Sequence, residues 1–363
     1  MTTRVAWVIP TMDRGGAEKQ LCLLAEHLPR DEFEPHVFLL TRDGPLSERL
    51  RNVDVPVHLI GKRFKVDPTA LWKLKNHLRR LQPDVVHTWL FAANCFGRVA
   101  ARMAKVPRVY ASERCVDLWK TETHHWIDRH LAKRTNAITT NSSGVKDFYA
   151  SHGIDPDLFR IIPNGIESRP ESTIDREEAF RRLKIDPGRK LVLAVGRLWP
   201  QKRYRDLIWS AELLATMRED TVFVIIGAGP QSGELLRHRD AVTTEDHVRF
   251  AGAREDVIDL IPHADLFWIG SAYEGQSNSL IEAMQAGVPV VASDIPGNRD
   301  LVVEGETGRL VPLGDTADFA RVSNQLLEDA EMACRLGKAA RAKIEAEFTV
   351  QAMVAAHAEL YRS

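Results

Sequence analysis

A rhythm that runs twice along the chain constrains its fold more than any other feature. Short β-branched runs alternate with stretches of helical period. In the first round the expected strands are Val5–Ile9, His36–Leu40, Val55–Ile60, Asp84–His87, Arg108–Ala111, Ala137–Thr140 and Phe159–Ile162. Between most of them lie helical stretches at Glu18–Leu28, Thr69–Leu81, Ala92–Ala104, His124–Ala132 and Ser143–Ala150. Such alternation predicts βαβ units, with right-handed crossovers placing helices on both faces of a parallel sheet. The segment Ile162-Pro-Asn-Gly-Ile-Glu-Ser-Arg-Pro170 breaks both periods and reads as a linker. The rhythm then restarts with Leu191–Val195, Thr221–Ile226, Val248–Phe250, Asp265–Ile269, Pro289–Ala292 and Arg309–Val311. From about Asp315 onward the pattern is helical only. The expectation is an α/β protein of two Rossmann-like domains facing a central cleft, where the carboxyl ends of the two sheets hold ligand.

Length and composition fit that plan. A chain of 363 residues suffices for two buried cores, and 44% hydrophobic residues suit a globular protein. A formal net charge of -1 supplies no global field toward nucleic acid or membrane. No run approaches the roughly 20 apolar residues that span a bilayer, and the start, MTTRVAWVIP, is too short an apolar run for a signal peptide. Cys22, Cys95, Cys115 and Cys334 form no C-x-x-C pair, which predicts free thiols in a reducing cytosol and no zinc site.

Three stretches carry candidate chemistry. Asp13-Arg-Gly-Gly-Ala-Glu18 follows the first strand, and Gly15 and Gly16 let backbone N–H groups approach an anion at a helix start. A plain turn, with Glu18 favouring the helix dipole, explains the same residues. Gly196-Arg-Leu-Trp-Pro-Gln-Lys202 follows a strand and places Arg197 and Lys202 around a proline turn. A rigid fork and a mobile point charge together suit a diphosphate, and a solvated basic loop is the plainer alternative. In Glu274-Gly-Gln-Ser-Asn-Ser-Leu-Ile-Glu282, the residues Ser277, Asn278 and Ser279 are strong helix N-caps. A helix starting there turns N–H groups and partial positive charge toward a ligand. Glu274 and Glu282 can accept hydrogen bonds from sugar hydroxyls, although Ser279-x-x-Glu282 also fits a capping box.

Two further patterns point elsewhere. Gly227-Ala-Gly229-Pro-Gln-Ser-Gly233 imitates a dinucleotide fingerprint, but its third glycine is one position late and Pro230 intervenes. Asp155-Pro-Asp157 has metal-binding D-x-D spacing, yet Asp-Pro is ordinary turn chemistry.

Taken in order, these motifs resemble the retaining glycosyltransferases of family four, which adopt the GT-B fold. GGAEKQ, VIPNGIE, VGRLWPQK, IIGAGP, FAGAREDV and PVVASDIPGNRDLV all fall at the family's spacing, and Glu274 with Glu282 matches its E-x7-E signature. The resemblance implies an N-terminal acceptor domain over residues 1–167, joined by a final helix 348–363 that crosses back to it. A donor domain then covers 168–347. It implies that Arg197 and Lys202 hold the donor diphosphate and stabilise the leaving group, making them catalytic together with Glu274, which would bond the transferred sugar. Glu282 would bond the ribose, the amides of Asn278 and Ser279 would face the phosphates beside Ser277, and the backbone near Ala253 and Arg254 would meet the base. Gly15 and Gly16 would close on the diphosphate. Cations and a helix start suffice for the developing charge, so no metal and no cofactor beyond the nucleotide diphosphate sugar is expected. Where many members carry a histidine, this chain reads Tyr110-Ala-Ser-Glu-Arg114. Glu113, Arg114 and His87 are therefore the acceptor-side candidates, with a satisfied histidine the plainer reading for His87.

The expected partners are a nucleotide-sugar donor and a glycan or lipid-linked acceptor, as in polysaccharide biosynthesis, with no nucleic acid. A nucleotide-sugar epimerase and a non-catalytic nucleotide-sugar-binding subunit are the alternatives. A membrane role comes from Gly61–Arg80, where Lys62, Arg63, Lys65, Lys73, Lys75, Arg79 and Arg80 face the single acid Asp67, with Phe64, Leu71, Trp72 and Leu78 interleaved. Such a segment suits a cytoplasmic protein that docks on an anionic membrane surface. Leu71, Leu74, Leu78 and Leu81 also fit a helix face turned to the core.

Overall fold

A computed structural model describes residues 2–168 and 172–363. Met1 and the last two linker residues, Arg169 and Pro170, lie outside the described residues. The chain divides into two compact units, one running to Gly165 and including Phe348–Ser363, the other covering Ile166–Glu347.

The first unit holds strands β1 (Thr3–Ile9), β2 (Phe33–Leu39), β3 (Val57–Leu59), β4 (Val85–Trp89), β5 (Arg108–Glu113), β6 (Ala137–Thr140) and β7 (Phe159–Ile161). Its helices are α1 (Gly16–His27), α2 (Ser47–Asn52), α3 (Pro68–Leu81), α4 (Phe91–Ala104), α5 (Glu122–Ala132) and α6 (Ser143–Ser151). The strands form one parallel sheet in the order β3-β2-β1-β4-β5-β6-β7. Alternation along β1 serves both faces. Val5, Trp7 and Ile9 pack with α1, and Ala6 and Val8 pack with α3 and α4. At six residues, α2 is too short to display a helical period, and the sequence pattern did not reveal it.

The second unit begins with α7 (Arg176–Leu183) and β8 (Lys190–Val195), α8 (Tyr204–Met217), β9 (Thr221–Ile226), α9 (Ser232–Val242) and β10 (Val248–Gly252). It continues with α10 (Val257–Leu260), β11 (Leu266–Ile269), α11 (Asn278–Gln285), β12 (Val290–Ser293), α12 (Pro296–Arg299) and β13 (Arg309–Val311), then α13 (Thr316–Glu328) and α14 (Ala330–Glu347). Its sheet is parallel, in the order β10-β9-β8-β11-β12-β13. Strand order reverses between β8 and β11, and at such a switch point the loops on either side diverge and leave a crevice.

The last helix, α15 (Val350–Arg362), belongs to the first unit. Val350, Met353, Val354, Ala358 and Tyr361 join the core formed by β1, β2 and α1. The Tyr361 hydroxyl accepts from Trp7 Nε1 at 2.9 Å, and Tyr110 donates to the Leu360 carbonyl at 2.9 Å. The linker end is fixed in the same unit. Gln20 exchanges two hydrogen bonds with the Gly165 backbone, at 2.8 and 2.9 Å. A Cβ on Gly165 would lie 2.9 Å from Val350 Cα, so glycine lets this turn lie against α15.

Candidate functional site

The crevice of the second unit is built from the two motifs that flank the switch point. The Gly196–Lys202 stretch leaves β8, and the Gly270–Ser277 stretch leaves β11. Pro200 starts a single 3-10 turn, Pro200–Lys202, that turns Lys202 toward the second loop. There Lys202 Nζ meets Glu274 Oε1 at 2.5 Å. The neighbouring residue secures the turn, since Gln201 Nε2 donates to the Tyr273 carbonyl at 2.7 Å and Ala272 N donates to the Gln201 carbonyl at 2.8 Å. Glu274 is buried, whereas Arg197 is exposed, with its guanidinium 5.2 Å from the Trp199 ring centre. Tyr204 lies beneath, and burial and the Glu274 carboxylate push its phenol well above the ordinary range.

Glycines let neighbouring loops bond backbone to backbone. Gly227 has φ +150, and a Cβ there would overlap the Gly196 carbonyl oxygen. A Cβ on Gly229 would lie 2.5 Å from the Leu198 carbonyl oxygen. Leu198 N donates to the Ala228 carbonyl at 3.0 Å, and Gln231 N donates to the Leu198 carbonyl at 3.1 Å. The Gly-Ala-Gly stretch that imitates a dinucleotide fingerprint thus braces the Arg197 loop. Sequence reasoning set it aside, and the signal that identifies it is contact between backbones, which no side-chain pattern announces.

On the other side, Ser277 holds the N-cap position of α11, which begins at Asn278, without a capping hydrogen bond from its hydroxyl to the helix backbone. The capping-box reading of Ser279 with Glu282 is corrected by this boundary. Ser279 is inside the helix, and its hydroxyl lies 3.1 Å from that of Ser277. Glu282 therefore sits two residues beyond the N3 position that a capping box requires. The loop before α11 is held from behind. Asn298 Nδ2 donates to the Ser293 carbonyl at 2.8 Å, Ser293 Oγ donates to the Ser271 carbonyl at 2.6 Å, and a Cβ on Gly297 would lie 2.8 Å from the Glu274 carbonyl oxygen. These supporting residues were not foreseen individually. Arg254, after β10, is committed to Asp256 through two 2.8 Å hydrogen bonds, and its bonds with Arg254 help hold the Asp256 carboxyl at about 2.

In the first unit, α1 begins at Gly16 with Gly15 as its N-cap. A Cβ on Gly15 would overlap the Glu18 carboxylate, which is itself buried against the helix start. Glu18 thus places a carboxylate at this helix start, where the dipole favours it.

The acceptor-side candidates end β4 and β5. His87 is fully buried, with Nδ1 2.8 Å from the Tyr361 hydroxyl and Nε2 3.1 Å from Thr139 Oγ1. Burial lowers its pKa well below the ordinary range. It is a satisfied core histidine, and its place among the acceptor-side groups is withdrawn. Glu113 is buried too. Its Oε1 accepts from Asn94 Nδ2 at 2.9 Å, its Oε2 accepts from the Tyr149 hydroxyl at 3.0 Å, and Lys120 Nζ lies 3.5 Å away. Lys120 also pairs with Asp128 at 2.9 Å, and Asp128 with Arg98 at 3.0 Å. Burial, with help from Asp128 and Asp117 and against Lys120, raises the Glu113 carboxyl to about 7. Arg114, next to it, is 8% exposed and donates to Asn164 Oδ1. The loop after β5 turns its charges inward and its apolar residues outward. Lys120 is buried while Leu118 and Trp119 are 60% and 56% exposed, an inversion that single-sequence periodicity does not register.

The basic segment divides. Leu74 and Leu78 on α3 face the core, so the amphipathic helix expected there has no free apolar face. Trp72 lies outside, with Lys75 Nζ 3.8 Å from its ring centre. The loop before α3 behaves differently. Phe64 is 70% exposed between Arg63 and Lys65, and Val66 is exposed as well. Among the described residues no helix is long and apolar enough to cross a membrane. Asp155 accepts a hydrogen bond from Asp157 N at 2.9 Å, which gives the D-x-D pair its turn role.

The family model described as glycosyl transferases group 1 matches residues 175–343, and that of glycosyltransferase family 4 matches residues 14–169. The chain is 30% identical to the 2-deoxystreptamine N-acetyl-D-glucosaminyltransferase of Streptomyces fradiae, covering 90% of this chain and 86% of that one. It is 26% identical to the UDP-Gal:alpha-D-GlcNAc-diphosphoundecaprenol alpha-1,3-galactosyltransferase of Escherichia coli, over 93% and 90% of the two chains. Among solved structures, HepE of Anabaena in complex with UDP and glucose superposes with a TM-score of 0.89 at 22% identity, covering 99% of this chain and 100% of that one. That likeness shows the two-domain GT-B fold. With both family models and the Streptomyces relative covering nearly its whole length, the chain belongs to the family-four glycosyltransferases of the GT-B fold and is a glycosyltransferase.

Proposed function

We propose that this enzyme transfers a sugar from a uridine diphosphate sugar to a glycan or lipid-linked acceptor, with retention at the anomeric carbon and without a metal ion. The observation that carries the reading is the Lys202–Glu274 pair at the switch point of the second unit. In a nucleotide sugar the β-phosphate and the transferred ring share one oxygen. A cation for the phosphate and a carboxylate for the ring hydroxyls must therefore lie side by side, as these two do. Lys202 and Arg197 neutralise the charge that develops on the diphosphate as the glycosidic bond breaks. The start of α11 at Asn278 and Ser279 adds its partial positive charge from the other side. Glu282, completing the E-x7-E signature, bonds the ribose, and the backbone at Ala253 and Arg254 meets the base.

The Escherichia coli relative, named for a UDP-galactose donor and a diphosphoundecaprenol-linked acceptor, supports the donor and acceptor classes. The solved relative crystallised with UDP and glucose supports the uridine choice. The epimerase and non-catalytic alternatives are not favoured, since the relatives named above are transferases. Residues Lys62, Arg63, Phe64, Lys65 and Val66 join basic charge to exposed apolar surface and dock the enzyme on an anionic membrane at the cytoplasmic face, where a lipid-linked acceptor is presented.

Purified protein given UDP-galactose or UDP-glucose in excess chelator should release UDP, and an acceptor should gain an axial anomeric bond by NMR. Loss of all turnover on chelation would overturn the metal-free reading, and an inverted product the retaining one. Epimerised donor formed without acceptor would restore the epimerase. Reversing Lys62, Arg63 and Lys65 to Glu should release the protein from phosphatidylglycerol vesicles at low salt with UDP affinity unchanged. No vesicle binding by the wild type would remove the membrane from this account.

A further inference from the structure

Among the buried bases of the first unit, Arg98, Lys120 and Arg114 are treated differently. Arg98 and Lys120 each have the Asp128 carboxylate within 3.0 Å. Arg114 has none among the described residues. Its Nη2 donates to Asn164 Oδ1, its guanidinium lies 5.0 Å from the Trp89 ring centre, and its Nη1 has no partner. The residue is 8% exposed.

Among the described residues no acidic side chain forms an ion pair with it, and its neighbours are aromatic or amide groups. Trp89 and His357 pack with rings 6.1 Å apart and nearly parallel, and both are fully buried. Burial keeps His357 neutral, with its pKa lowered to about 4. Trp89 Nε1, a donor only, and His357 Nε2 also lack partners. Asn141 Nδ2 shares the Asn164 Oδ1 acceptor with Arg114, at 3.4 Å. Trp89, Arg114 and Asn141 stand at the carboxyl ends of β4, β5 and β6, the edge at which open parallel sheets take ligands. A buried guanidinium with an idle N–H is costly unless an anion meets it. Arginine also presents its donors in a fixed fork suited to an oxyanion.

We infer that Arg114, with the indole N–H of Trp89 and the Asn141–Asn164 pair beside it, forms a subsite for an oxyanion carried by the acceptor, a phosphate or a carboxylate. Assigning that oxyanion to the acceptor rests on the transferase reading, whereas the subsite itself does not. Arg114 fixes the acceptor by its charge, and Trp89 supplies a second donor to the same group.

The test uses the full chain carrying Arg197→Ala and Lys202→Ala, so that the cations proposed for the donor cannot bind the probes. Inorganic pyrophosphate and malonate are titrated calorimetrically into this protein, then into the same protein with Arg114→Met added. At least one probe should bind the first and lose about 10- to 100-fold in affinity in the second, the range carried by one charge-assisted hydrogen bond. Preference for pyrophosphate assigns a phosphate-bearing acceptor, and preference for malonate a carboxylate-bearing one. Removing an unpaired buried charge should leave the melting temperature unchanged or higher. If the Met variant does not fold, Arg114→Lys, which keeps the charge and loses the fork, should still weaken binding several-fold. Absence of binding by either probe, or affinity indifferent to residue 114, overturns the subsite. Failure of the donor reading would show separately, as UDP binding that survives loss of Arg197 and Lys202.

Discussion

The two units place polar groups at the carboxyl ends of similar parallel sheets, yet they hold them by different means. In the second unit the support is mostly backbone. Gly227 and Gly229 let one loop bond the next, and the Lys202–Glu274 pair sits on top. In the first unit the support is a buried ionic network. Glu113, Lys120, Asp128 and Arg98 satisfy one another beneath a loop that exposes Leu118 and Trp119. Backbone support leaves the side chains available to a ligand. An ionic network spends most of its side chains on each other, and Arg114 is the exception. The two units should accordingly respond to mutation in opposite currencies, the first in stability and the second in turnover.

The largest effect is expected in the first unit. Lys120→Met leaves three carboxylates, Glu113, Asp117 and Asp128, around a lost cation. Breaking a buried pair this way should cost about 3–5 kcal/mol, read as a lower denaturation midpoint. A midpoint within error of wild type would mean that the network is solvated and the contrast false. In the second unit, Lys202→Ala should reduce turnover about 100- to 1000-fold while leaving the melting temperature near wild type. Parallel loss of both would place Lys202 with the structural groups. Gly227→Ala lies between the two cases. It forces a Cβ onto the Gly196 carbonyl at φ +150, and strain of about 1–3 kcal/mol should displace the Arg197 loop. UDP affinity should fall even though residue 227 contributes no side chain, and unchanged affinity would show that the loop is positioned otherwise.

The smallest effect depends on pH. Burial raises the Glu113 carboxyl to about 7, above the ordinary value of about 4.3. The folded protein thus holds this proton more tightly than the unfolded chain. The stability so gained is complete below the ordinary range and is lost as pH rises through about 7. Thermal midpoints should fall between pH 5 and pH 8 for wild type and less so for Glu113→Gln. Identical slopes would indicate that Glu113 stays ionised throughout.

How much was legible in the sequence follows the same divide. The strands were readable because parallel sheets bury continuous β-branched runs, and Ala137–Thr140 falls on β6 residue for residue. Arg197, Lys202, Glu274 and the Ser277–Ser279 helix start were readable because each motif follows directly on its own strand. The network around Glu113 was not, because Lys120, Asp128 and Tyr149 arrive from separate elements, and nothing in local spacing pairs them. For His87 the satisfied reading, the plainer one, holds, but its partners could not be named from the sequence. Thr139 and Tyr361 lie 52 and 274 residues away along the chain, and nothing in local spacing points to them.

The central claim is that the β8–β11 crevice of the second unit holds the donor through Arg197 and Lys202. Calorimetric titration of UDP, in excess chelator, into wild type and into the Arg197→Ala/Lys202→Ala protein tests it most directly. The account predicts saturable binding by the wild type and loss of about 100-fold or more in the double variant, since each charge-assisted contact to a diphosphate carries about 1.5–3 kcal/mol. Equal affinity of the two proteins for UDP, with both folded, would contradict it.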